Sequence, residues 1–146
     1  MTEDLDLIEE RHSIIIMYKA LLITDDPSVF HSACRGKTRR IDLQVLKSYV
    51  YDNDVILLNI RSRKLRSYVK NFISSHLFSL YIHLTNNIDV SDLSPRNILK
   101  QLNINIRDID SPPKDLLQDS LLILIQRDED KLVVKECDDR LIRINL

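Results

Sequence analysis

The sequence predicts an α+β protein, with a mainly α-helical bundle domain followed by a small antiparallel β-rich C-terminal domain. The first reason is the run of residues 54–84, which has no glycine or proline and has apolar residues mostly three or four positions apart, as in an amphipathic helix. The second is the change of period after residue 103, where apolar residues alternate with polar ones. The third is the rigid connector Ser111-Pro112-Pro113, which suggests a helical domain over residues 1–106 and a β-rich domain over residues 107–146.

Shorter helices are predicted before the long one. Acidic residues crowd the first turns of a helix over about residues 3–22, where the helix dipole favours them. A short helix over residues 29–34 and a basic loop over residues 35–40 follow. Asp42 is a candidate N-cap for the next helix, which runs through Tyr49.

The helix predicted over residues 54–84 would be on the order of 45 Å long, more than one small globule needs. We therefore expect it to span a whole bundle or to continue into a partner. It is expected to end near residues 86–87, and Ser94-Pro95 then begins a short helix over residues 96–102. Its apolar stripe is the predicted subunit interface, formed by Leu58, Leu65, Tyr68, Val69 and Phe72.

The C-terminal part is predicted to be a small sheet. Ile104 and Ile106 indicate one short strand. Three more strands are predicted over residues 121–126, 131–136 and 141–145, joined by short charged links that suit an antiparallel meander. Because a few strands without a partner surface are only marginally stable, we expect this sheet to dock on something else.

The composition argues against an enzyme. Gly36 is the one glycine in the chain, and phosphate-cradling loops, dinucleotide-binding turns and nucleophile elbows need glycine where the backbone comes close or takes positive φ. The segment around it, Arg35-Gly36-Lys37-Thr38, ends like a Walker A loop but lacks the earlier glycine. His76 and His83 are seven positions apart, too far to reach one ion from a single helix. We predict a non-catalytic protein with no metal and no cofactor.

Positive charge is concentrated in one block of the chain. Residues 31–70 carry 10 basic and 3 acidic side chains, whereas residues 1–30 carry 2 and 7 and residues 71–146 carry 9 and 12. Two interpretations stay open: a solvated face balanced by acidic neighbours, and a surface that contacts the phosphates of nucleic acid. The basic patch comprises Arg35, Lys37, Arg39, Arg40, Arg61, Arg63, Lys64 and Arg66.

Cysteine usage and the apolar runs predict an intracellular, soluble protein. Cys34 and Cys137 stand alone, with no CxxC pattern, and are expected to be free thiols, with one long-range disulfide as the alternative. The acidic N-terminus does not resemble a secretory signal, and the longest apolar runs are too short to span a membrane. We expect a cytoplasmic protein if the source is archaeal, or a nuclear one if it is eukaryotic.

The segment Ile60-Arg61-Ser62-Arg63-Lys64-Leu65-Arg66 resembles the I-R-x-R-K-type segment in the long helix of GINS complex subunits. Leu93-Ser94-Pro95, the Pro112-Pro113-Lys114 linker and the strand-rich end also resemble the archaeal subunit whose helical domain comes first. The resemblance implies a non-catalytic DNA replication protein that pairs with a related GINS subunit in a heterotetramer. Such a scaffold would hold the MCM helicase and a Cdc45/RecJ-like protein together in the replicative CMG helicase, with a weak DNA contact. Charged pairs across or near the subunit interface, or within the subunit, would be formed by Arg61, Arg63, Lys64 and Arg66.

Two other functions fit the same residues. A small basic nucleic-acid-binding regulator would use the basic patch for phosphate contacts and the C-terminal strands as a wing or dimerisation sheet. It would bind DNA or RNA with a steep dependence on salt. A helical-bundle adaptor would instead bind an amphipathic peptide in a groove, although such a bundle has no use for the strands.

Overall fold

A mixed sheet with helices on both faces makes up the described part of the chain, which comprises residues 18–84, 100 and 103–138 of a computed structural model. The strands of the sheet are β1 (Ala20–Thr24), β2 (Lys37–Ile41), β3 (Val55–Asn59), β4 (Asn105–Asp108), β5 (Ser120–Asp128) and β6 (Lys131–Asp138). The helices with assigned bounds are α1 (Pro27–Ala33), α2 (Leu43–Asp52), α3 (Arg63–Leu84) and α4 (Lys114–Asp119). None of the described helices has the length and apolar content needed to cross a membrane.

The strand order in the sheet is β2-β6-β5-β1-β3-β4. Strands β5, β1, β3 and β4 run parallel to one another, whereas β6 is antiparallel to both β5 and β2. In the centre of the sheet, Leu22 of β1 lies opposite Leu57 of β3 on one side and Leu122 of β5 on the other. The carboxyl ends of the four parallel strands therefore meet at one edge of the sheet.

The central strands form because their sequences are apolar at nearly every position. The β1 segment ALLIT is buried throughout, and four of the five residues of the β3 segment VILLN are buried. A strand covered by helices on both faces has this continuous pattern, since neither face meets water. Fully burying each such Leu or Ile side chain contributes about 1.5–3 kcal/mol.

Helices cover the two faces of the sheet in pairs. On one face, which we call the α2/α3 face, Leu46 of α2 and Val69, Ile73 and Leu77 of α3 pack with alternate residues of the central strands. On the other face, Phe30 of α1 packs with the remaining strand residues, and α4 contributes partly buried leucines. The described residues thus form a three-layer α/β/α structure.

Side-chain caps begin three of the helices. The Asp26 carboxylate accepts a hydrogen bond from Ser28 N at 3.0 Å before α1, and the Asp42 carboxylate accepts one from Val45 N at 3.0 Å before α2. Ser62 Oγ accepts one from Leu65 N at 3.3 Å before α3. These caps satisfy backbone N–H groups that a first helical turn leaves without partners.

The prediction of a helical bundle followed by a small β-rich domain is wrong. The described residues form a mixed α/β fold, in which β1 lies in the same sheet as β5 and β6. The start of the predicted long helix is strand β3, and the helix itself begins at Arg63. The five residues of β3 fit either period, and burial on both faces selects the strand.

Other predicted elements had mixed outcomes. The short helix predicted over residues 29–34 is present but spans Pro27–Ala33. The helix after Asp42, the strand near Ile106 and the β5–β6 hairpin are confirmed. The end of the predicted first helix is part of strand β1, and most of the predicted basic loop is strand β2. Most of the predicted first helix, the helix over residues 96–102 and the strand over residues 141–145 lie outside the described residues.

The expectation of two free thiols is also wrong. Cys34, at the end of α1, and Cys137 of β6 form a disulfide, with their Cα atoms 5.6 Å apart. Cys137 packs on the face covered by α1, so the end of that helix lies directly over β6. Sequence spacing gave no signal for this pair, since the two cysteines are 103 positions apart.

Candidate functional site

The carboxyl edge of the parallel strands is where an open α/β sheet usually binds its ligand. The chain leaves β1 toward α1 on one face and leaves β3 toward α3 on the other face. Because the two connections diverge, their first residues and the loop after β4 stand around a crevice. Polar side chains follow each of these strands and form the walls of that crevice.

A buried hydrogen-bond network holds this edge in place. Thr24 Oγ1 at the end of β1 donates to Asn59 Oδ1 at the end of β3 at 2.7 Å. Asn59 Nδ2 then donates to the carbonyl oxygens of Ile109 at 2.9 Å and Asp110 at 3.0 Å, in the loop after β4. The carboxyl ends of β1 and β3 and the loop after β4 are therefore joined by hydrogen bonds. These bonds fix the positions of the residues that follow the strands.

The first backbone N–H groups before α3 are already occupied. The Asp25 carboxylate accepts hydrogen bonds from Arg61 N at 3.0 Å and from Ser62 N at 3.1 Å. These two N–H groups precede the helix and are not available to an external anion, whereas cationic side chains line the hollows at this edge.

A cleft with a volume of about 250 Å³ lies between the first two turns of α3 and the β5–β6 hairpin. We call it the hairpin cleft, and its lining residues are Lys64, Leu65, Tyr68, Arg127, Asp130, Lys131 and Leu132. Lys64 and Tyr68 are four positions apart on α3 and so lie on one side of the helix. Arg127 stands directly opposite Leu132 in the hairpin register. Leu65 and Leu132 pack against the core and form an apolar floor.

The cleft extends toward the carboxyl end of β1. A second hollow of about 290 Å³ shares Leu65 and Arg127 with the hairpin cleft and reaches Asp25 and Ser62. A third, of about 330 Å³, lies between the turns after β3 and β4 and includes Arg61 and Arg66. Cationic side chains thus follow the edge of the sheet on both sides of the α3 N-terminus.

The cations of the hairpin cleft differ from the other basic residues in their surroundings. Three cations and one carboxylate line the cleft. Within residues 18–84 and 103–138, no carboxylate lies at ion-pair distance from Lys64, Arg127 or Lys131. The lining of the cleft therefore carries more positive than negative charge, and none of the described carboxylates pairs with its cations.

Several cations of the predicted basic patch have partners within the chain. Arg39 pairs with the buried Glu136, and Arg61 pairs with Asp26 at 3.4 Å. The pKa of the Asp26 carboxyl is lowered mainly by the hydrogen bonds that Ser28 donates to it, and to a smaller extent by the charge of Arg61. Arg66 Nε and Nη2 donate to the Ile60 carbonyl oxygen at 2.9 and 2.7 Å.

The structure divides the basic patch into two groups. Arg35, Lys37, Arg39 and Arg40 lie in or just before edge strand β2, where charged side chains also protect an edge from pairing with another chain. The second group lies in or just before the first turn of α3 and comprises Arg61, Arg63, Lys64 and Arg66. Of these eight residues, Lys64 lines the hairpin cleft.

Sequence reasoning missed Arg127 and Lys131. They flank the acidic turn Asp128-Glu129-Asp130, so the segment has more acidic than basic side chains and no basic block appears. The hairpin prediction was available as a signal, because a hairpin brings the two residues that flank its turn together. Only the packing of that hairpin against α3 places Lys64 beside them.

The predicted interface residues are mostly enclosed by their own chain. Leu58 and Val69 are buried in the core on the α2/α3 face, and Leu65 and Phe72 are half-buried against it. Lys47 Nζ lies 5.9 Å from the centre of the Phe72 ring. Tyr68 is 48% exposed and is the member of the set that faces solvent. An interface role for the stripe stays a prediction.

Metal binding and similarity to other proteins add no further site. Across the described ranges, no group of three or more His, Cys, Asp or Glu side chains could hold a metal ion. Comparison of the chain with protein-family models, curated proteins and solved structures found no match.

Proposed function

We propose that this protein is a non-catalytic nucleic-acid-binding protein that holds backbone phosphates at the hairpin cleft. The observation that carries the proposal is the group of Lys64, Arg127 and Lys131 around one cleft at the carboxyl edge of the sheet. Lys and Arg side chains that neutralise phosphates provide most of the sequence-independent affinity for nucleic acid. A binding regulator of this kind was one of the alternatives that the sequence left open.

The size of the cleft and its continuation along the edge of the sheet favour a polymer with several phosphates over a single small anion as the ligand. The cleft measures about 250 Å³, below the roughly 300–1,000 Å³ usual for pockets that enclose a small ligand. A further hollow that shares Arg127 with the cleft continues along the same edge. A chain of phosphates can contact successive cations along such an edge, whereas a single small anion could use only one of these hollows.

The proposal predicts salt-dependent binding by the isolated chain. Three phosphate contacts with a single strand give a slope of log K against log salt of about −2. Fluorescence anisotropy with a labelled oligonucleotide, measured between about 50 and 300 mM salt, would give this slope. No binding at the lowest salt would refute the proposal.

A pair of matched double variants tests the location. Lys64→Glu/Arg127→Glu reverses two charges in the hairpin cleft and should abolish most of the binding. Arg35→Glu/Arg40→Glu reverses two exposed charges at the β2 edge and should leave the affinity within about twofold of wild type. If the second variant loses binding and the first does not, the interface lies at the β2 edge and the proposal is wrong.

The GINS-like scaffold remains the other proposal and has less support from the fold. Its signature segment does not lie in one helix: Ile60 follows strand β3, and α3 begins only at Arg63. A related GINS subunit, the MCM helicase, a Cdc45/RecJ-like protein and a cytoplasmic or nuclear location therefore stay predictions. Co-expression with candidate subunits and a mass measurement of the purified complex would test them.

A further inference from the structure

Tyr68 is a large aromatic side chain left in solvent beside the cations of the hairpin cleft. It is 48% exposed, although its neighbours Leu65, Val69 and Phe72 on α3 all pack against the core. It follows Lys64 by four residues, so the ring and the ammonium group lie one helical turn apart. An exposed aromatic side chain thus lines the cleft together with the apolar Leu65 and Leu132.

We infer that the hairpin cleft selects single-stranded nucleic acid, with one base stacked on the Tyr68 ring and the adjoining phosphates on Lys64, Arg127 and Lys131. This inference rests on the proposed function and adds the class of nucleic acid to it. Combined stacking platforms and cationic grooves are how proteins hold single strands without reading their sequence. In a duplex both faces of each internal base are already stacked, so a duplex has no free base face for the ring.

The shape of the cleft agrees with one base rather than a whole duplex. Its volume of about 250 Å³ is bounded by helix α3 on one side and by the hairpin on the other. Leu65 and Leu132 give the cleft an apolar part, as a stacked base requires, and its charged lining consists of the cations Lys64, Arg127 and Lys131 and the single carboxylate of Asp130. This arrangement places an apolar base and its charged phosphates in matching surroundings.

Three substitutions at position 68 separate stacking from simple apolar contact. In anisotropy titrations with a 12-nucleotide single strand at one fixed salt concentration, Tyr68→Ala should weaken binding about ten- to a hundredfold. Tyr68→Leu keeps apolar bulk without the ring and should lose most of the affinity, whereas Tyr68→Phe should stay within about threefold of wild type. Tyr51→Ala is the matched control, because Tyr51 is also exposed (56%) but lies on α2 outside the cleft.

The ligand offers a second, independent test. A strand in which the bases are replaced by abasic sites keeps its phosphates, so wild type should bind it about as weakly as Tyr68→Ala binds the normal strand. Tyr68→Ala should lose no further affinity for the abasic strand, because the two changes remove the same contact. The salt slope of Tyr68→Ala should match that of wild type, since no phosphate contact is removed.

The outcomes distinguish this inference from the function on which it rests. Equal affinity of wild type for the single strand and for the matching duplex, with an equal or absent effect of Tyr68→Ala on both, would overturn the single-strand inference and leave phosphate binding intact. Absence of binding to either ligand at low salt would overturn both. Because Tyr68 is exposed, all its variants should keep the wild-type melting curve, which circular dichroism can verify.

Discussion

Arg39→Ala should destabilise this protein far more than the loss of an ordinary surface ion pair would. The Glu136 carboxylate is 1% exposed and lies on β6 between β2 and β5. It accepts hydrogen bonds from Arg39 Nε at 2.9 Å, from Arg39 Nη2 and from the Tyr49 hydroxyl at 2.5 Å. The hydrogen bond and the charge of Glu136 together raise the pKa of the Arg39 guanidinium.

The magnitude follows from the unequal burial of the two partners. The Arg39 side chain is 56% exposed, so in the absence of Glu136 it can return to water, whereas the carboxylate cannot. Removing one partner of a buried pair costs about 3–5 kcal/mol. In Arg39→Ala, water can enter the exposed space that the guanidinium leaves and partly solvate Glu136. We therefore expect the lower end of this range, about 3 kcal/mol, for Arg39→Ala. Glu136→Gln should cost about 1–2 kcal/mol, since the amide still accepts a hydrogen bond.

Urea denaturation at pH 7, followed by circular dichroism, measures these changes in the free energy of unfolding. Lys70→Ala is the control, because Lys70 and Asp108 form an exposed pair at 2.7 Å that should be worth less than about 1 kcal/mol. The double variant Arg39→Leu/Glu136→Leu should be more stable than Arg39→Ala, since no charge is left buried. Equal losses below about 1 kcal/mol for Arg39→Ala and Lys70→Ala would refute the reasoning.

Three further predictions concern stability. Cys34→Ala/Cys137→Ala opens a loop with a separation of 103 positions and should cost about 4–5 kcal/mol in urea denaturation, with no further effect of reductant on the variant. The pKa of His76 is lowered below its usual 6.5, mainly by burial of the imidazole and to a smaller extent by the charge of Lys47. Protonation therefore favours the unfolded chain, so stability should fall as the pH drops below about 6.5, and His76→Gln should show a smaller loss between pH 7.5 and 5.5 in the same assay. Glu129 has φ of 55°, so Glu129→Gly should raise the free energy of unfolding by about 1 kcal/mol and Glu129→Ala should not.

Local signals in the sequence predicted several elements correctly because each depends on neighbouring residues. The Asp42 carboxylate caps α2 by accepting a hydrogen bond from the backbone N–H three positions later. Asp is a preferred N-cap residue, so its position before an apolar pattern indicates the start of a helix. The β5–β6 hairpin follows from two apolar runs around a short charged turn. These contacts span a few residues, so no knowledge of the fold is needed to expect them.

The error at β3 has a specific physical origin. Val55 and Leu58 are three positions apart and continue the apolar spacing of α3, so the strand and the helix read as one element. Ser62 was a usable signal for a boundary, since its hydroxyl is the N-cap that begins the helix. Only the central position of β3, between β1 and β4, makes both its faces apolar.

The candidate site depends on contacts that no sequence period encodes. Lys64 belongs to the predicted basic patch, but Arg127 and Lys131 join it only because the hairpin packs against the first turns of α3. Tyr68 was expected in a subunit interface because it fits the apolar stripe of the helix. Its exposure beside three cations is a property of the assembled layers.

The position of β6 between β2 and β5 determines when the sheet can be completed. Strand β2 is made early in synthesis, yet among the described strands its one neighbour is β6, about a hundred residues later. Until Asp138 has emerged from the ribosome, residues 37–41 lack the strand with which they pair in the folded sheet. Their two arginines and one lysine should keep this segment from pairing with other chains during that time. We therefore expect the sheet to be completed only after this region has been translated, and the dependence on such distant pairing should make folding slow compared with a helical protein of this length.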